Sequence, residues 1–310
     1  MATEGVITAS ESRGELPLVR SIRAGELKDV LAKGLDDFWA MPTHVVFIGL
    51  MYPVVGFMLG VATLAHNPTA DLYPLAAGFP LIGPFAAIGL YELSRRRELG
   101  LDTSWKHSFD VVYSKSLRSI VILSVLLSAI FIVWVAVARA VYVANFGYRE
   151  IGSLATFARN ILTTPQGHNV IIVGNAIGLL FAVLAFSLSV VSFPLLLDRH
   201  VGAAAAALTS VRVVLRNPIT MALWGLIVAC SLAIGFLAFF FGLALVMPVL
   251  GHSTWHLYRK VVEPDLGPRP EYRPRPEYRP RPEVRRYAAD FPAVLFSPRH
   301  AKNGDTNMSS

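Results

Sequence analysis

A chain of 310 residues that is 54% hydrophobic and only 16% charged, with a mean hydropathy of +0.52, carries more apolar surface than a soluble domain of this size can bury. Lipid must cover the excess, so an ordinary globular protein is excluded. The net charge of +7 is informative through its placement along the chain, and the single cysteine, Cys230, rules out an intrachain disulfide and is expected to pack inside an apolar run.

The opening residues, MATEGVITASESRGELPLV, lack the basic start and apolar core of a cleavable leader, so the first span is expected to do the targeting. Residues 1–20 read as a disordered tail, 21–262 as a membrane domain and 263–310 as a second disordered tail. Within the membrane domain six stretches suit a hydrocarbon core of about 30 Å, which needs about 20 apolar residues. They cover residues 44–65, 72–93, 119–143, 170–197, 218–239 and 242–258. The last two come from one unbroken tract over 218–258, which as a single helix would be about twice the membrane thickness. A hairpin turning near Phe240 to Gly242 is therefore expected.

Lysine and arginine fix the orientation, because short cytoplasmic loops retain positive charge and translocated ones avoid it. Residues 1–43 carry five, 94–118 six, 198–217 three and 259–310 eleven, leaving only Arg139, Arg149 and Arg159 for the other side. Six spans with both termini cytoplasmic put 25 of the 28 on one face, whereas five spans would strand eleven outside.

Three segments placed directly before odd-numbered spans, 21–39, 104–117 and 201–215, mix apolar and charged residues as interfacial helices do. In the second, Trp105, Phe109, Val112, Tyr113 and Ser116 recur at three and four. The even-numbered spans end alike, in Pro80 to Gly83 before Tyr91-Glu92, in Pro194 to Asp198, and in Pro248 to Gly251 before Tyr258-Arg259. Together these suggest three units, each an interfacial helix followed by a membrane hairpin. The fold class is therefore all-α, a polytopic membrane helix bundle.

The 145–169 loop is the sizeable outer piece, with Phe157, Ile161 and Leu162 at helical spacing and Thr163-Thr164-Pro165 suited to the start of the fourth span. The second span is dense in proline and glycine, with Pro74, Pro80 and Pro84 among Gly78, Gly83 and Gly89, and is expected to be kinked and packed against neighbours. After Pro264 the run GPRPEY-RPRPEY-RPRPEV-R favours extended polyproline II and cannot build a core. A proline-recognising protein or anionic lipid is the partner such a tail suits, beside the bilayer itself; no nucleic acid is expected, and no oligomeric state is legible.

Chemistry has few residues to stand on. No Asp or Glu lies in the middle of a span, since Asp71, Glu92 and Asp198 fall at span ends, which counts against a proton- or sodium-coupled transporter. No metalloprotease, redox-cysteine, nucleophile-elbow or phosphate-loop motif occurs, so no catalytic residue and no resident cofactor or metal is assigned, and no enzyme is expected. The one candidate cofactor site is His252 and His256, four apart and so on one helical face, which could ligate a metal or haem; His107 and His200 lie on the same side of the membrane.

The strings FPLIGPFAAIGLYELSRRRELG, LTTPQGHN, FPLLLDRHVG and PVLGHSTWHLYRK together resemble the bacterial integral-membrane family catalogued as domain of unknown function 2189, over most of residues 30–262. The resemblance implies a multi-pass protein of the bacterial inner membrane with no assigned activity. Three functions follow as expectations. The first is a non-catalytic membrane protein acting through partners or lipids. The second is a channel or uncoupled transporter, for which Thr63, Asn175, Ser187, Ser189 and Ser192 would form a polar stripe, and the third is a redox protein using His252 and His256.

Overall fold

The computed structural model describes residues 16–41, 56, 87–148, 154–237 and 242–264. Among them the regular elements are helices: α1 (Leu27–Ala40), α2 (87–98), α3 (Leu117–Phe146), α4 (Leu154–Thr163), α5 (Pro165–Ser189), α6 (Ser192–Asp198), α7 (Ala203–Arg216), α8 (Pro218–Leu237) and α9 (Leu243–Val261). A 3-10 stretch, Trp105–Tyr113, precedes α3. The fold is all-α, with one isolated bridge between Val19 and Val262. The first expected span, most of the second and the expected turn at 240–242 lie wholly or largely outside the described residues.

Among the described residues, three helical stretches are long and apolar enough to cross a membrane: Leu117–Phe146, Pro165–Asp198 and Pro218–Gly235. They coincide with the third, fourth and fifth expected spans. Their surfaces are apolar and outward-facing, as Val125, Ile132, Leu180, Val183, Leu226 and Ile234 show. Asn145 turns its amide onto the Val141 carbonyl at 2.8 Å, and α3 ends one residue later at Phe146, capped by Gly147, whose φ of 72° suits a residue without Cβ. The fourth span starts as its sequence requires: Thr164 caps α5 by accepting from the Gly167 amide at 3.0 Å, and Pro165 occupies the first turn. It is interrupted at Val190-Val191, four and three residues before Pro194, whose ring cannot sit against the Val190 carbonyl in a continuous helix.

The buried core lies at one end of these spans. There Leu27 and Val30 of α1, Ile88 and Tyr91 of α2, Ile120 and Leu123 at the start of α3, the whole of α6, Ala206 and Val213 of α7, Met221 and Trp224 at the start of α8, and Trp255, Leu257 and Tyr258 of α9 close on one another. Each amphipathic segment therefore buries its stripe against span ends. The 3-10 stretch does so with reversed polarity: Trp105, Phe109, Val112 and Tyr113 face outward, while Ser108 and Asp110 are buried toward α2. An aromatic face turned away from the protein suits a segment lying against lipid headgroups.

Two close contacts set the geometry of this layer. α1 packs antiparallel along the second half of α9, and at Gly34 the helices approach so nearly that a Cβ would stand 2.7 Å from the Ser253 backbone nitrogen. Gly251 does the same for α2, where a Cβ would meet the Leu90 side chain at 2.7 Å. Residues 16–23, mostly assigned to the N-terminal tail from sequence, run along the end of α9: Arg20 N donates to Val261 O at 2.8 Å and Glu263 N to Leu18 O at 3.0 Å. Asn217 clips this arm down, accepting from Ile22 N at 2.8 Å and donating to Arg20 O at 3.0 Å.

Cys230, expected to pack inside, is exposed on α8. An apolar run in a membrane helix faces lipid as readily as protein, so hydrophobicity alone does not mark the buried side.

Candidate functional site

Glu92, Asp198 and Asp37 are the buried carboxylates of the layer at the span ends, with Asp110 beside them. Glu92, with 0% of its surface exposed, pairs with Arg95 at 2.8 Å and Arg96 at 3.8 Å. Asp198 accepts from the Tyr258 hydroxyl at 2.6 Å and from Arg259 at 3.3 Å. Both carboxylates belong to expected span ends, and Arg259 joins Asp198 to Glu98, so the polar ends of α2, α6 and α9 are linked in one ionic layer.

Asp37 is the third hub. It sits on α1 at a stripe position, among Leu27, Val30, Gly34, Phe38 and Met41, and only 3% of it is exposed. Ser94 donates to its Oδ2 at 2.5 Å, His256 Nε2 lies 2.9 Å from the same oxygen, and Arg97 pairs with Oδ1. Burial pushes the carboxyl up, but the hydrogen bonds from His256, Ser94 and Arg97 and the charge of His256 outweigh it and hold the group below its usual value. Ser94 also lies 2.6 Å from His252 Nδ1. Its one proton goes to Asp37, so His252 donates from Nδ1–H to Oγ. His252 Nε2 is left buried with no partner among the described residues.

His252 and His256 thus share one face, as their spacing required, but that face is turned to Asp37 and Ser94. One nitrogen of each ring is engaged in this network, and among the described residues no group of three or more His, Cys, Asp or Glu is arranged to hold a metal. His107 and His200 do not join them. His107 is clamped between Asp110 at 2.5 Å and Asp102 at 3.0 Å, and His200 lies 3.4 Å from Ser116, its pKa lowered by burial and by Lys115.

A cavity of about 400 Å³ opens beside Asp37, walled by Lys33 and Asp37 of α1, Ser94, Arg97 and Glu98 of α2, and His256, Arg259 and Lys260 of α9. Every lining side chain is polar or charged. Arg259 is fixed there by Glu98 at 2.8 Å and Asp198, while Lys260 is held by Asp29 at 3.0 Å and Glu26 at 3.3 Å. Sequence reading did not single out Asp37, Ser94 or Lys33. The signal for Asp37 was present: a carboxylate on the apolar stripe of an amphipathic helix must find buried partners.

The residues expected to form a polar stripe in the spans behave differently. Asn175 turns its amide back onto the Ile171 carbonyl at 2.7 Å on an exposed face, and Ser192 donates to Leu188 O at 2.5 Å. Thr63 lies outside the described residues. A Cβ added at Gly178 would stand 3.6 Å from Trp134 of α3, so this side of α5 faces α3 within the chain.

No curated protein and no solved structure is similar enough to match the chain. A family model does match, over residues 72–198, which contain the first two motif strings and the FPLLLD part of the third but not PVLGHSTWHLYRK. The buried ionic end of α2, the short helix α4 and the Pro194 break all lie within that stretch, which is similar to the family described as predicted integral membrane protein, domain of unknown function 2189.

Proposed function

We propose that this is a non-catalytic multi-pass protein of the bacterial inner membrane that works by binding lipids or partner proteins at the ionic layer where its span ends meet. In this reading six helices cross, both termini are cytoplasmic, and three hairpins each follow an interfacial segment. The observation that carries it is where polar groups are available. Within the described spans Ser128, Asn175 and Ser192 bond back to their own helix, while charged side chains converge on an open cavity at the span ends. A conducting path needs polar groups along the membrane interior, and a binding site needs them where ligands arrive.

Reconstitution into sealed vesicles tests this, with ion and solute flux measured alongside a mass-spectrometric inventory of lipids and proteins retained in near-stoichiometric amounts. We expect retained ligand or partner and no flux. Flux from a protein that retains nothing would overturn the reading.

A further inference from the structure

The geometry points to the cavity between α1, α2 and α9 as a site for an anionic phosphate group, carried by a lipid headgroup or by a soluble phosphate compound, with Lys33 and Arg97 as its principal donors. This rests on the reading of a protein that acts by binding. The space of about 400 Å³ is within the range of small-ligand sites, roughly 300–1,000 Å³, and its lining offers an apolar ligand no apolar side chain. The walls bring four cations, Lys33, Arg97, Arg259 and Lys260, against two carboxylates, Asp37 and Glu98. Asp198, Glu26 and Asp29 behind the wall offset Arg259 and Lys260, so the positive charge an incoming anion meets is that of Lys33, with Arg97 shared between the anion and Asp37.

The groups divide into a fixed frame and available donors. Arg259 and Lys260 are each held by two carboxylates and shape the wall. Asp37, which would repel an anion, is already capped by Ser94, His256 and Arg97 on its two oxygens. Arg97 gives one terminal nitrogen to Asp37, and its side chain is 40% exposed, so the rest of its five-donor fork is available for phosphate oxygens. Lys33 is exposed and forms no ion pair among the described residues. A free ammonium beside a half-engaged guanidinium matches a group with several acceptor oxygens and negative charge.

The depth suits a headgroup. The second expected span ends at residue 93, the cavity begins at Ser94, and Trp39, 66% exposed, stands at the end of α1 shortly before the first expected span.

The test uses the full-length protein in non-ionic detergent, titrated with phosphatidylglycerol and followed by native mass spectrometry, and separately with inorganic phosphate by calorimetry. One equivalent of one ligand should bind, with phosphatidylcholine binding far less. Lys33→Glu should weaken binding by about tenfold or more, as loss of a charge-assisted contact does. Arg97→Gln should do likewise, and because Arg97 also supports Asp37, the unpaired Lys33 is the decisive variant. Lys28→Glu, on α1 but away from the cavity, should change nothing. Competition by inorganic phosphate would identify a soluble ligand, and its failure to compete a lipid one. The inference is overturned if neither ligand binds, or if Lys28→Glu weakens binding as much as Lys33→Glu. Retention of some other lipid or partner alongside that negative result would leave the broader reading standing, whereas flux with nothing retained would remove both.

Discussion

Asp37 carries the most consequence per atom. Its carboxylate lies in a buried layer and is tolerable there because Ser94, His256 and Arg97 supply donors, so replacing it leaves those donors facing one another. Asp37→Ala should lower stability by about 2–4 kcal/mol, read as a fall in the thermal midpoint in detergent. Asp37→Asn, which keeps the shape, should recover part of that loss. The pH dependence has a definite sign. The folded-state value lies below the ordinary 3.8, so the unfolded chain binds the proton more readily, and the stabilisation is full above 3.8 and lost as pH falls through the folded value. Thermal midpoints of wild type and Asp37→Asn should therefore converge in strong acid. A gap that is unchanged there would show that the carboxylate charge is not the source of the stabilisation.

At the scale of elements, α1 is held to α9 by a close crossing more than by its own helical propensity. Leu27–Ala40 has fourteen residues, a length at which an isolated helix is marginal in water. The contact at Gly34 admits no side chain: an added Cβ would stand 2.7 Å from backbone and closer still to Ser253 Oγ. Gly34→Val should therefore separate the helices or force them apart, at about 1–3 kcal/mol or more. Trypsin should then cut at Lys28 and Lys33 many times faster than in wild type, while Gly25→Ala, where nothing lies within 4 Å, should leave cleavage unchanged. The same layer contains the Pro194 break and the clip at Asn217, so amphipathic segments and span ends form one cooperative unit.

For the whole molecule, the distribution of charge and the position of the core agree on which end is crowded. Among the described residues, the amphipathic segments, the ion pairs and most lysines and arginines gather at one end of the spans, and α4 with Arg159 lies at the other end of α3 and α5. In a Cys230→Ser background, a membrane-impermeant maleimide applied to intact cells should label Arg159→Cys and spare Lys28→Cys until the membrane is opened. Labelling of Lys28→Cys in intact cells would reverse the orientation proposed above.

What the sequence by itself determined is what depends on local pattern and on the solvent. Apolar runs of span length, the Thr164-Pro165 helix start, the short helix α4 and the amphipathic stripes of α1 and α7 are all legible because each follows from neighbours within a few turns. His252 and His256 were placed on one face by spacing alone. Only the tertiary structure decided what that face meets, because Asp37 and Ser94 come from segments 219 and 158 residues away in chain. It also decided that Cys230 is exposed, since the lipid-facing and protein-facing sides of a membrane helix are equally apolar. The cavity owes its existence to three helices meeting at Gly34, Ser253 and Leu90, and long-range packing of that kind leaves no periodic trace in a single chain.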